Sequence, residues 1–359
     1  MEHRYRYRSL FWPLVLIGAG VIWLLYSLDV ISASNLAVLG LVWPVFVIGI
    51  GADLLLGHRS PAAGAIVGVV TVGIVIALML IGPSWGWVGS TDLKTETFST
   101  RVGEATQAQV EIGLSGYAAS LHALPAATGP DRPLLYASIA HRGTIDFGAE
   151  GTTEKVVTLK SGSDRQRWQR IGSDTATPWD IGLDQGVPLS ILVRASSGSS
   201  TLDLAGLQLR KLEVHASSGD SEVVLPGADR LSAYRPDIQL DSSSGRMDVQ
   251  APDGATFGMR VGMSSGDTRV TLGKDSAVEV TFRGSSGQFV LTVRPGQALR
   301  VEVKHISSGD VRLPDGLTRI SGESGEGVWQ TPGYDSAANR VNLIIESMSS
   351  GTVKVQVEG

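Results

Sequence analysis

Hydrophobic positions fall into two patterns along the chain: three long apolar runs near the start, and short alternating runs after them. The apolar runs cover about residues 10–28, 36–56 and 62–82. Each is close to the roughly 20 residues that a helix needs to cross a bilayer. The pattern predicts a membrane region of three helices. A cleaved signal peptide is the alternative for the first run, although its apolar core exceeds the roughly 7–15 residues that are usual.

The basic residues predict the orientation of this region. Three arginines precede the first run and Arg59 follows the second, whereas the first loop has no basic residue. Because Lys and Arg accumulate in cytoplasmic loops, the N-terminus is expected in the cytoplasm. Three crossings then place everything from about Ser90 onward outside the cytoplasm. A re-entrant second run, broken at Pro44, would instead leave the rest of the chain in the cytoplasm.

Glycines within the apolar runs predict close helix packing. The motif W-P-x-x-x-I-G-x-G begins at Trp12 and again at Trp43, and a G-x-x-x-G joins Gly64 to Gly68. Small residues let membrane helices approach one another. Packing within one molecule is one interpretation of these glycines, and a docking face for another membrane protein is the alternative. Asp53, inside the second run, is interpreted as an interface residue rather than a proton relay.

A Ser-Ser-Gly triplet recurs through the second half of the chain. Most copies are spaced by 21 or 22 residues, one spacing is 26, and the last is 42, which is two periods. A constant period of this length is typical of a solenoid, in which each repeat stacks on its neighbours. The motif glycines are Gly198, Gly219, Gly245, Gly266, Gly287, Gly309 and Gly351.

Two alternating runs occupy each period. Apolar residues stand four and six positions after a motif glycine, as Val223 and Leu225 do, and a second pair precedes the next glycine, as Val280 and Phe282 do. Alternation with a period of two predicts strands with one buried face, and the Pro-Gly pairs between them predict turns. Each coil of the predicted β-solenoid is thus strand, turn, strand and Ser-Ser-Gly corner. Its handedness, and the choice between a parallel stack and a more antiparallel arrangement, stay open.

The triplets are interpreted as corners and not as nucleophiles. Serine catalysis needs a base beside the serine, and no histidine recurs with the motif. Glu222 and Asp248 are expected on neighbouring coils, where paired carboxylates could bind calcium or act on a glycoside. However, Arg246 and Arg269 flank them and would neutralise their charge. No pattern therefore predicts a catalytic residue, a cofactor site or a metal site.

Residues 91–189 have a looser register and are interpreted as a membrane-proximal β region. Strands are expected at Gln109–Tyr117, Leu134–Ala140 and Val156–Lys160. The coils of the Ser-Ser-Gly solenoid are expected within residues 190–359, stacked in their order along the chain.

Two irregular stretches supply candidate contact residues. Ser161–Asp180 contains Arg165, Trp168 and Arg170, a mixture typical of contacts with anionic head groups or polyanionic glycans, with an ordinary surface loop as the alternative. Gly322–Asn339 stands in the place of a missing triplet and contains two aromatic residues. The candidate partner or ligand contacts are Gly64, Gly68, Arg165, Trp168, Arg170, Trp329 and Tyr334.

Composition excludes several classes of function. The 44 glycines favour a structure rich in turns, and the net charge of -5 disfavours nucleic-acid binding. There is no cysteine, which excludes disulfides, thiolate metal sites and cysteine lipidation.

These motifs resemble known bacterial families. The W-P-x-x-x-I-G-x-G runs are similar to the membrane region of LiaI/LiaF-type cell-envelope stress proteins, and Trp179–Gly227 (WDIGLDQGVPLSILVRASSGSSTLDLAGLQLRKLEVHASSGDSEVVLPG) resembles toast-rack and adhesin-type β-repeat domains. The resemblance implies a membrane protein with an extracytoplasmic β-solenoid. In LiaF-type members it implies restraint of an envelope-stress system through a membrane-bound histidine kinase. Ser-Ser-Gly stands where the family often has a small-Ala-Gly corner, and the regular repeats are more adhesin-like.

The sequence therefore predicts a multi-pass cell-membrane protein with an α-helical membrane region, residues 1–90, followed by an all-β part. Its predicted function is non-enzymatic: envelope-stress sensing or regulation through protein contacts. A membrane-anchored adhesin or glycan-binding scaffold is the alternative, and a carbohydrate-active enzyme that uses Glu222 and Asp248 is a third. The expected partners are the lipid bilayer and a membrane-bound histidine kinase or another envelope protein, and no nucleic acid.

Overall fold

The computed structural model describes residues 10–28, 31, 38–57, 61–81, 94–114, 116–141, 144–162, 178–323 and 325–358. These residues form two compact units. One unit is helical, and the other is built of β-strands with one short α-helix.

The helical unit contains three apolar helices: α1 (Phe11–Ser27), α2 (Leu39–Ala52) and α3 (Pro61–Ile81). A π-helical turn, Asp53–Gly57, continues α2. Among the described residues, one helix, Ala62–Ile81, is long and apolar enough to cross a membrane, while Phe11–Ser27 and Val42–Leu56 are apolar but shorter. The expected helices are thus present, and length and composition identify one of them as a candidate membrane span.

Helices α1 and α2 both pack against α3 at the first glycine of their shared motif. A Cβ atom on Gly18 would meet the side chain of Val72, and one on Gly49 would meet Thr71. Because Thr71 and Val72 are adjacent, the two motif copies contact the same turn of α3. Helix α2 continues through Pro44, so the break that the re-entrant alternative places at this proline is not present.

The β unit consists of two large sheets around one hydrophobic core. Its strands are, in chain order, β1 (Lys94–Arg101), β2 (Gln107–Leu114), β3 (Ala119–Ala123), β4 (Pro133–His141), β5 (Ile145–Glu150), β6 (Glu154–Ser161), β7 (Trp179–Leu183), β8 (Leu189–Ala195), β9 (Ser200–Asp203), β10 (Leu209–Ala216), β11 (Ser221–Val224), β12 (Asp237–Ser242), β13 (Arg246–Gln250), β14 (Thr256–Met263), β15 (Asp267–Thr271), β16 (Ala277–Gly284), β17 (Gln288–Val293), β18 (Ala298–Val303), β19 (Asp310–Arg312), β20 (Thr318–Ser321), β21 (Gly327–Gln330), β22 (Arg340–Met348) and β23 (Thr352–Val357). Sheet A has 11 strands in the order β1-β4-β7-β3-β9-β11-β13-β15-β17-β23-β19. Sheet B has 12, in the order β20-β21-β18-β22-β16-β14-β12-β10-β8-β2-β6-β5.

Each repeat contributes one strand to each sheet. A strand of sheet B runs into the Ser-Ser-Gly corner, a strand of sheet A follows, and a turn leads back to sheet B. Strands β10, β12, β14 and β16 pair in parallel, and so do β11, β13, β15 and β17. The repeats therefore form a parallel two-sheet β-solenoid. The 26-residue spacing between Gly219 and Gly245 holds a short helix, α4 (Ala228–Tyr234), so the extra residues lie in a turn.

Alternating side chains from both sheets fill the core. Val223 and Leu225 after the second triplet are buried, as are Val280 and Phe282 before the fifth. Phe282 also stacks on Phe289, with ring centroids 4.3 Å apart. The period-two pattern of the sequence thus identified the inward-facing positions.

The coils at both ends are not stacked in chain order. Strand β22 lies between β16 and β18, and β23 lies between β17 and β19. Gly351 therefore follows Gly287 in the stack and Gly309 comes last, so the expected sequential order is wrong for these two triplets. The physical reason is that the antiparallel strand β21 pairs with one edge of β18. Strand β22 therefore pairs with the other edge of β18, and it lies between β18 and β16.

Antiparallel strands lie at one end of both sheets and at the other end of sheet B, whereas sheet A ends there in β19, which pairs with β23 in parallel. Strand β4 pairs with β7 and β5 with β6, while β21 pairs with β18 and β20. Such strands occupy edges that would otherwise offer unpaired N–H and C=O groups to other chains. The strands expected at Gln109–Tyr117, Leu134–Ala140 and Val156–Lys160 correspond to β2, β4 and β6, and all three belong to the same two sheets as the repeats.

Each Ser-Ser-Gly corner is hydrogen-bonded to the corner before it. The N–H of Ser243 donates to the carbonyl of Ala216 at 2.8 Å, and the N–H of Ser244 donates to that of Ser217 at 3.0 Å. The Ser244 hydroxyl donates to the same Ser217 carbonyl at 2.9 Å. Hydroxyls of other second serines do likewise: Ser218, Ser265, Ser286 and Ser350. The serines thus satisfy backbone groups of the neighbouring corner.

Glycine is required at the third position because neighbouring corners are so close. A Cβ atom on Gly245 would overlap the carbonyl oxygen of Gly219, and one on Gly266 would overlap that of Gly245. Gly219 itself has a φ of 93°, which residues with a side chain rarely adopt. The motif glycine therefore permits both the bend and the close approach of the coils.

We expect Gly245→Ala to lower the free energy of unfolding of the β unit by about 2–3 kcal/mol, because the added methyl group has to push two backbones apart. Thermal unfolding of the full chain, followed by the β-sheet circular dichroism signal, should shift down by about 5–10 °C. Gly258→Ala is the matched control, since only one atom lies within 4 Å of its Cβ position, at 3.9 Å. Equal stability of the two variants would contradict the role of the corner glycine.

Candidate interaction surfaces

The outward residues of sheet B form rows in which acidic and basic side chains lie next to one another. Glu111 lies between two cations on neighbouring strands: its Oε2 is 2.8 Å from Nζ of Lys160, and its Oε1 contacts Arg194. The hydrogen bond from Lys160 holds the pKa of Glu111 below its ordinary value. The strand pairing places both Lys160 and Arg194 opposite Gly113, two positions along from Glu111 on the same face, so their long side chains reach its carboxylate.

The same pairing continues across the sheet. Nδ1 of His215 is 3.1 Å from Oδ2 of Asp241, and Nη2 of Arg260 is 2.6 Å from Oδ1 of Asp237. Two further ion pairs join Lys211 to Glu213 and Arg283 to Glu346. A shallow depression of about 280 Å³ opens among these side chains, around Gly262. The described part of this face is therefore a mosaic of paired charges and not a patch of one sign.

Sheet A places the two predicted carboxylates side by side. Glu222 pairs with Asp248 in the β11–β13 register, as expected. Asp248 is 3.4 Å from Nη1 of Arg269, and Nε2 of Gln250 donates to Glu222 at 3.1 Å. Within the described residues there is no group of three or more His, Cys, Asp or Glu side chains that could hold a metal ion. Arg269 thus offsets the charge of Asp248, and the neutral amide of Gln250 engages Glu222.

The row of residues that follow the motif glycines forms a second depression. Asp220, Arg246 and Asp267 alternate in sign along the corners and line a volume of about 340 Å³. Alternation avoids like charges on neighbouring coils, which would destabilise the stack. This arrangement fits a solvated ladder.

The aromatic candidates lie next to β18: Trp329 is in β21, which pairs with β18, and Tyr334 begins a short 3-10 turn, Tyr334–Ser336. Cζ of Arg319 is 5.2 Å from the centre of the Trp329 ring, and Cζ of Arg300 is 4.4 Å from that of Tyr334. Arg300 also donates to Asp335 at 2.8 Å. Tyr334 is buried, and this burial raises the pKa of its hydroxyl. Trp329 is half-buried, so it has more surface than Tyr334 to offer a partner.

Both candidate glycines of α3 lie within the helical unit. Gly64 and Gly68 are buried, and a Cβ atom on Gly68 would meet the side chain of Leu14 and the backbone of Phe11. Packing within the molecule accounts for Gly68. A docking role for these positions stays a prediction.

The shared motif exposes the same side chains in both copies. Trp12 and Trp43 are each 59% exposed, and Ile17 and Ile48 are 62% and 70% exposed. Exposed apolar side chains at such density mark surfaces that contact lipid or protein. The exterior of the helical unit is therefore suited to a membrane.

The basic and aromatic candidates of the long loop, Arg165, Trp168 and Arg170, lie outside the described residues. Trp179, at the end of the same stretch, is fully buried and begins β7. Its Nε1 donates to the carbonyl of Ala140 at 3.2 Å, and its ring stacks on Tyr117 at 5.4 Å. Trp179 is therefore a core residue of the first coils and not part of a surface loop.

One arrangement that the sequence did not predict joins a motif serine to a histidine. Oγ of Ser307 is 3.3 Å from Nε2 of His305, and Nδ1 of His305 is 3.2 Å from Oε1 of Glu326. Serine, imidazole and carboxylate in this order resemble the triad of serine hydrolases. Spacing along the chain could not reveal the carboxylate contact, because Glu326 reaches His305 from the turn between β20 and β21.

The surroundings of Ser307 do not complete a hydrolase site. Acyl transfer needs N–H groups that point at the developing oxyanion. The N–H of Ser307 donates instead to the carbonyl of Met348 at 3.0 Å, and the N–H of Ser308 donates to that of Ser349 at 2.8 Å. Both belong to the corner ladder. The side chain of His305 is also 63% exposed, so water competes for its hydrogen bonds.

Comparison with known proteins supports the toast-rack resemblance. Residues 136–250, from β4 to β13, match a family model described as "N-terminal domain of toast_rack, DUF2154". A crystal structure described as a "putative cell adhesion protein" from Clostridium sporogenes matches 74% of this chain and 100% of that one, with 12% sequence identity and a TM-score of 0.36. No curated protein matches the chain. The toast-rack part of the resemblance is confirmed, and the LiaI/LiaF-type membrane region stays a prediction.

We expect the full chain not to react with a fluorophosphonate probe for serine hydrolases, because the corner ladder occupies the N–H groups nearest Ser307. A known serine hydrolase serves as the positive control, and Ser307→Ala as the matched variant. Labelling of the wild-type chain that disappears in Ser307→Ala would contradict the interpretation of the triplets as corners.

Proposed function

We propose that this chain is a non-enzymatic bacterial cell-envelope protein. Its apolar helices anchor it in the lipid bilayer with the N-terminus in the cytoplasm, and its solenoid presents polar faces outside the cytoplasm. The finer part of the proposal is regulatory: the protein senses or regulates envelope stress through contacts with a membrane partner, such as a membrane-bound histidine kinase.

The corner ladder is the observation that carries the proposal. The residues that recur most in the sequence are the motif serines and glycines, and their N–H groups and hydroxyls bond one coil to the next. Repetition here serves to build a rigid rod. A rod of this kind supports a role in presenting a surface rather than in transforming a substrate.

The outer faces indicate what kind of partner suits the rod. Charges on sheet B are largely paired with neighbours, as between Lys160 and Glu111, which leaves little net attraction for a polyanion. Flat, mixed polar faces are compatible with a protein surface of complementary pattern. This favours protein contacts over nucleic acid.

The helical unit supports membrane anchoring. Its motif copies expose Trp12, Ile17, Trp43 and Ile48, which would be unfavourable in water. We propose three crossings for the three apolar helices. The basic residues before α1 and at Arg59 then set the orientation.

A topology measurement tests the envelope location. Because the chain has no cysteine, Ser217→Cys and Ser350→Cys, both at exposed corners, each provide one label site. On intact cells, a membrane-impermeant maleimide should label both variants. Ser60→Cys, in the expected cytoplasmic loop, is the matched control and should react only after permeabilisation. The envelope proposal fails if the corner variants also need permeabilisation.

An exchange of the anchor tests the regulatory part against the adhesin or glycan-binding alternative. We expect that replacing residues 1–90 by an unrelated three-span anchor abolishes the effect of the protein on stress-induced transcription, since the helices would convey the signal. The double variant Gly20→Leu with Gly51→Leu should act in the same direction. No atom lies within 4 Å of either Cβ position, so this variant preserves packing within the molecule and changes only contacts with a partner. Full retention of the effect with the foreign anchor would favour the scaffold alternative.

A further inference from the structure

A cavity of about 570 Å³ lies on the side of the solenoid where the turns are, away from the Ser-Ser-Gly corners. Its lining includes Lys274, Asp275, Arg294, Gln297 and Asn339. A volume of this size is within the range of small-molecule sites, roughly 300–1,000 Å³.

The cavity results from the inserted last coil. In the regular coils, each turn leads to the neighbouring strand of sheet B. After β17 that place is taken by β22, so the turn at Arg294–Gln297 passes over one strand to reach β18. The cavity is the space between this turn, the turn of the preceding coil at Lys274 and Asp275, and the residues 337–339 that lead into β22.

The wall at Lys274 and Asp275 is held by its neighbours. The N–H of Lys274 donates to Oδ1 of Asp253 at 2.7 Å, and a Cβ atom on Gly273 would overlap the backbone of Pro252. Asp275 has a φ of 54°, which is rare for a residue with a side chain. Such a backbone persists only where the surroundings fix it. The backbone that carries the side chains of Lys274 and Asp275 is therefore held in one conformation.

Two residues of the cavity wall carry buried polar atoms that the described protein does not satisfy. Nε of Arg294 and Oε1 of Gln297 are buried and have no hydrogen-bond partner. The amide of Gln297 is oriented by its own donation to the carbonyl of Ser276, which leaves Oε1 as the free acceptor. Neither Lys274 nor Arg294 forms an ion pair with any described residue. A buried donor and a buried acceptor without partners are costly, and a ligand toward which these two side chains turn can supply both partners.

We propose that this cavity binds a small polyhydroxy acid of the uronic acid class. The carboxylate would be held by Arg294 and Lys274, and hydroxyl groups would donate to Oε1 of Gln297 and to the carboxylate of Asp275. One sugar ring fits the volume, and the charge arrangement selects an acid over a neutral sugar. The proposal does not depend on the regulatory role or on the side of the membrane.

The test is a titration of the full chain in nanodiscs, followed by saturation-transfer NMR of the ligand. The probes are D-glucuronate, its methyl glycoside as a mimic of a glycan-linked residue, and D-glucose. Both acids should give a saturable signal. D-glucose should bind at least about tenfold more weakly than D-glucuronate, as the loss of a charge-assisted hydrogen bond predicts. Tighter binding of the glycoside would identify a glycan end as the source, and tighter binding of free glucuronate a free sugar acid.

Arg294→Gln should weaken glucuronate binding by about tenfold or more, and Lys274→Gln, at an exposed side chain, gives a second variant that is expected to fold. Arg246→Gln, on the corner side, is the matched control and should bind like the wild type. The proposal is overturned if no saturable signal is seen, if glucose binds as tightly as glucuronate, or if the two cavity variants bind like Arg246→Gln.

Discussion

The hydrogen bond from one Ser-Ser-Gly corner to the next is the constraint on which the rest of the β unit depends. It requires two backbone N–H groups, a hydroxyl that reaches a carbonyl, and a residue without a side chain where neighbouring corners nearly touch. Gly245 against Gly219 illustrates the last requirement. Once the corners are in register, the strands on both sides of them are in register as well. The period of about 21 residues is the length of chain needed to make one turn around the core.

Register at the corners determines the chemistry of the faces. Because equivalent positions stack directly, charges that are far apart along the chain become neighbours, as Asp248 and Arg269 do. The sequence places opposite signs on adjacent coils, so these charges stabilise the rod instead of attracting a charged ligand. Exposed ion pairs contribute little each, about 0–1 kcal/mol, so their clearer effect is on which partners the face can accept. The contact between Ser307 and His305 is local, between residues two apart, and the N–H groups of Ser307 and Ser308 belong to the corner ladder rather than to a catalytic site.

The periodic part of the structure could be predicted from the sequence, and the interruptions could not. The inward positions such as Val223 and Phe282, the corner role of the triplets, and the pairing of Glu222 with Asp248 all follow from a local repeat. The insertion of the last coil depends on long-range strand pairing, which a repeat does not encode. The burial of Trp179 and the approach of Glu326 to His305 likewise depend on how the capping strands fold back. The cavity beside Arg294 results from the same insertion, so no local sequence motif predicts it.

The order of the last coils can be measured directly. Disulfides need Cα atoms about 4.4–6.8 Å apart, which suits equivalent positions on adjacent coils but not on coils two places apart. Two double variants of the cysteine-free chain compare these cases: Ser286→Cys with Ser350→Cys, and Ser286→Cys with Ser308→Cys. After mild oxidation and peptide mapping, the account predicts an efficient disulfide in the first variant and little in the second. The opposite result would show that the coils stack in chain order, and would contradict both the inserted coil and the cavity that it creates.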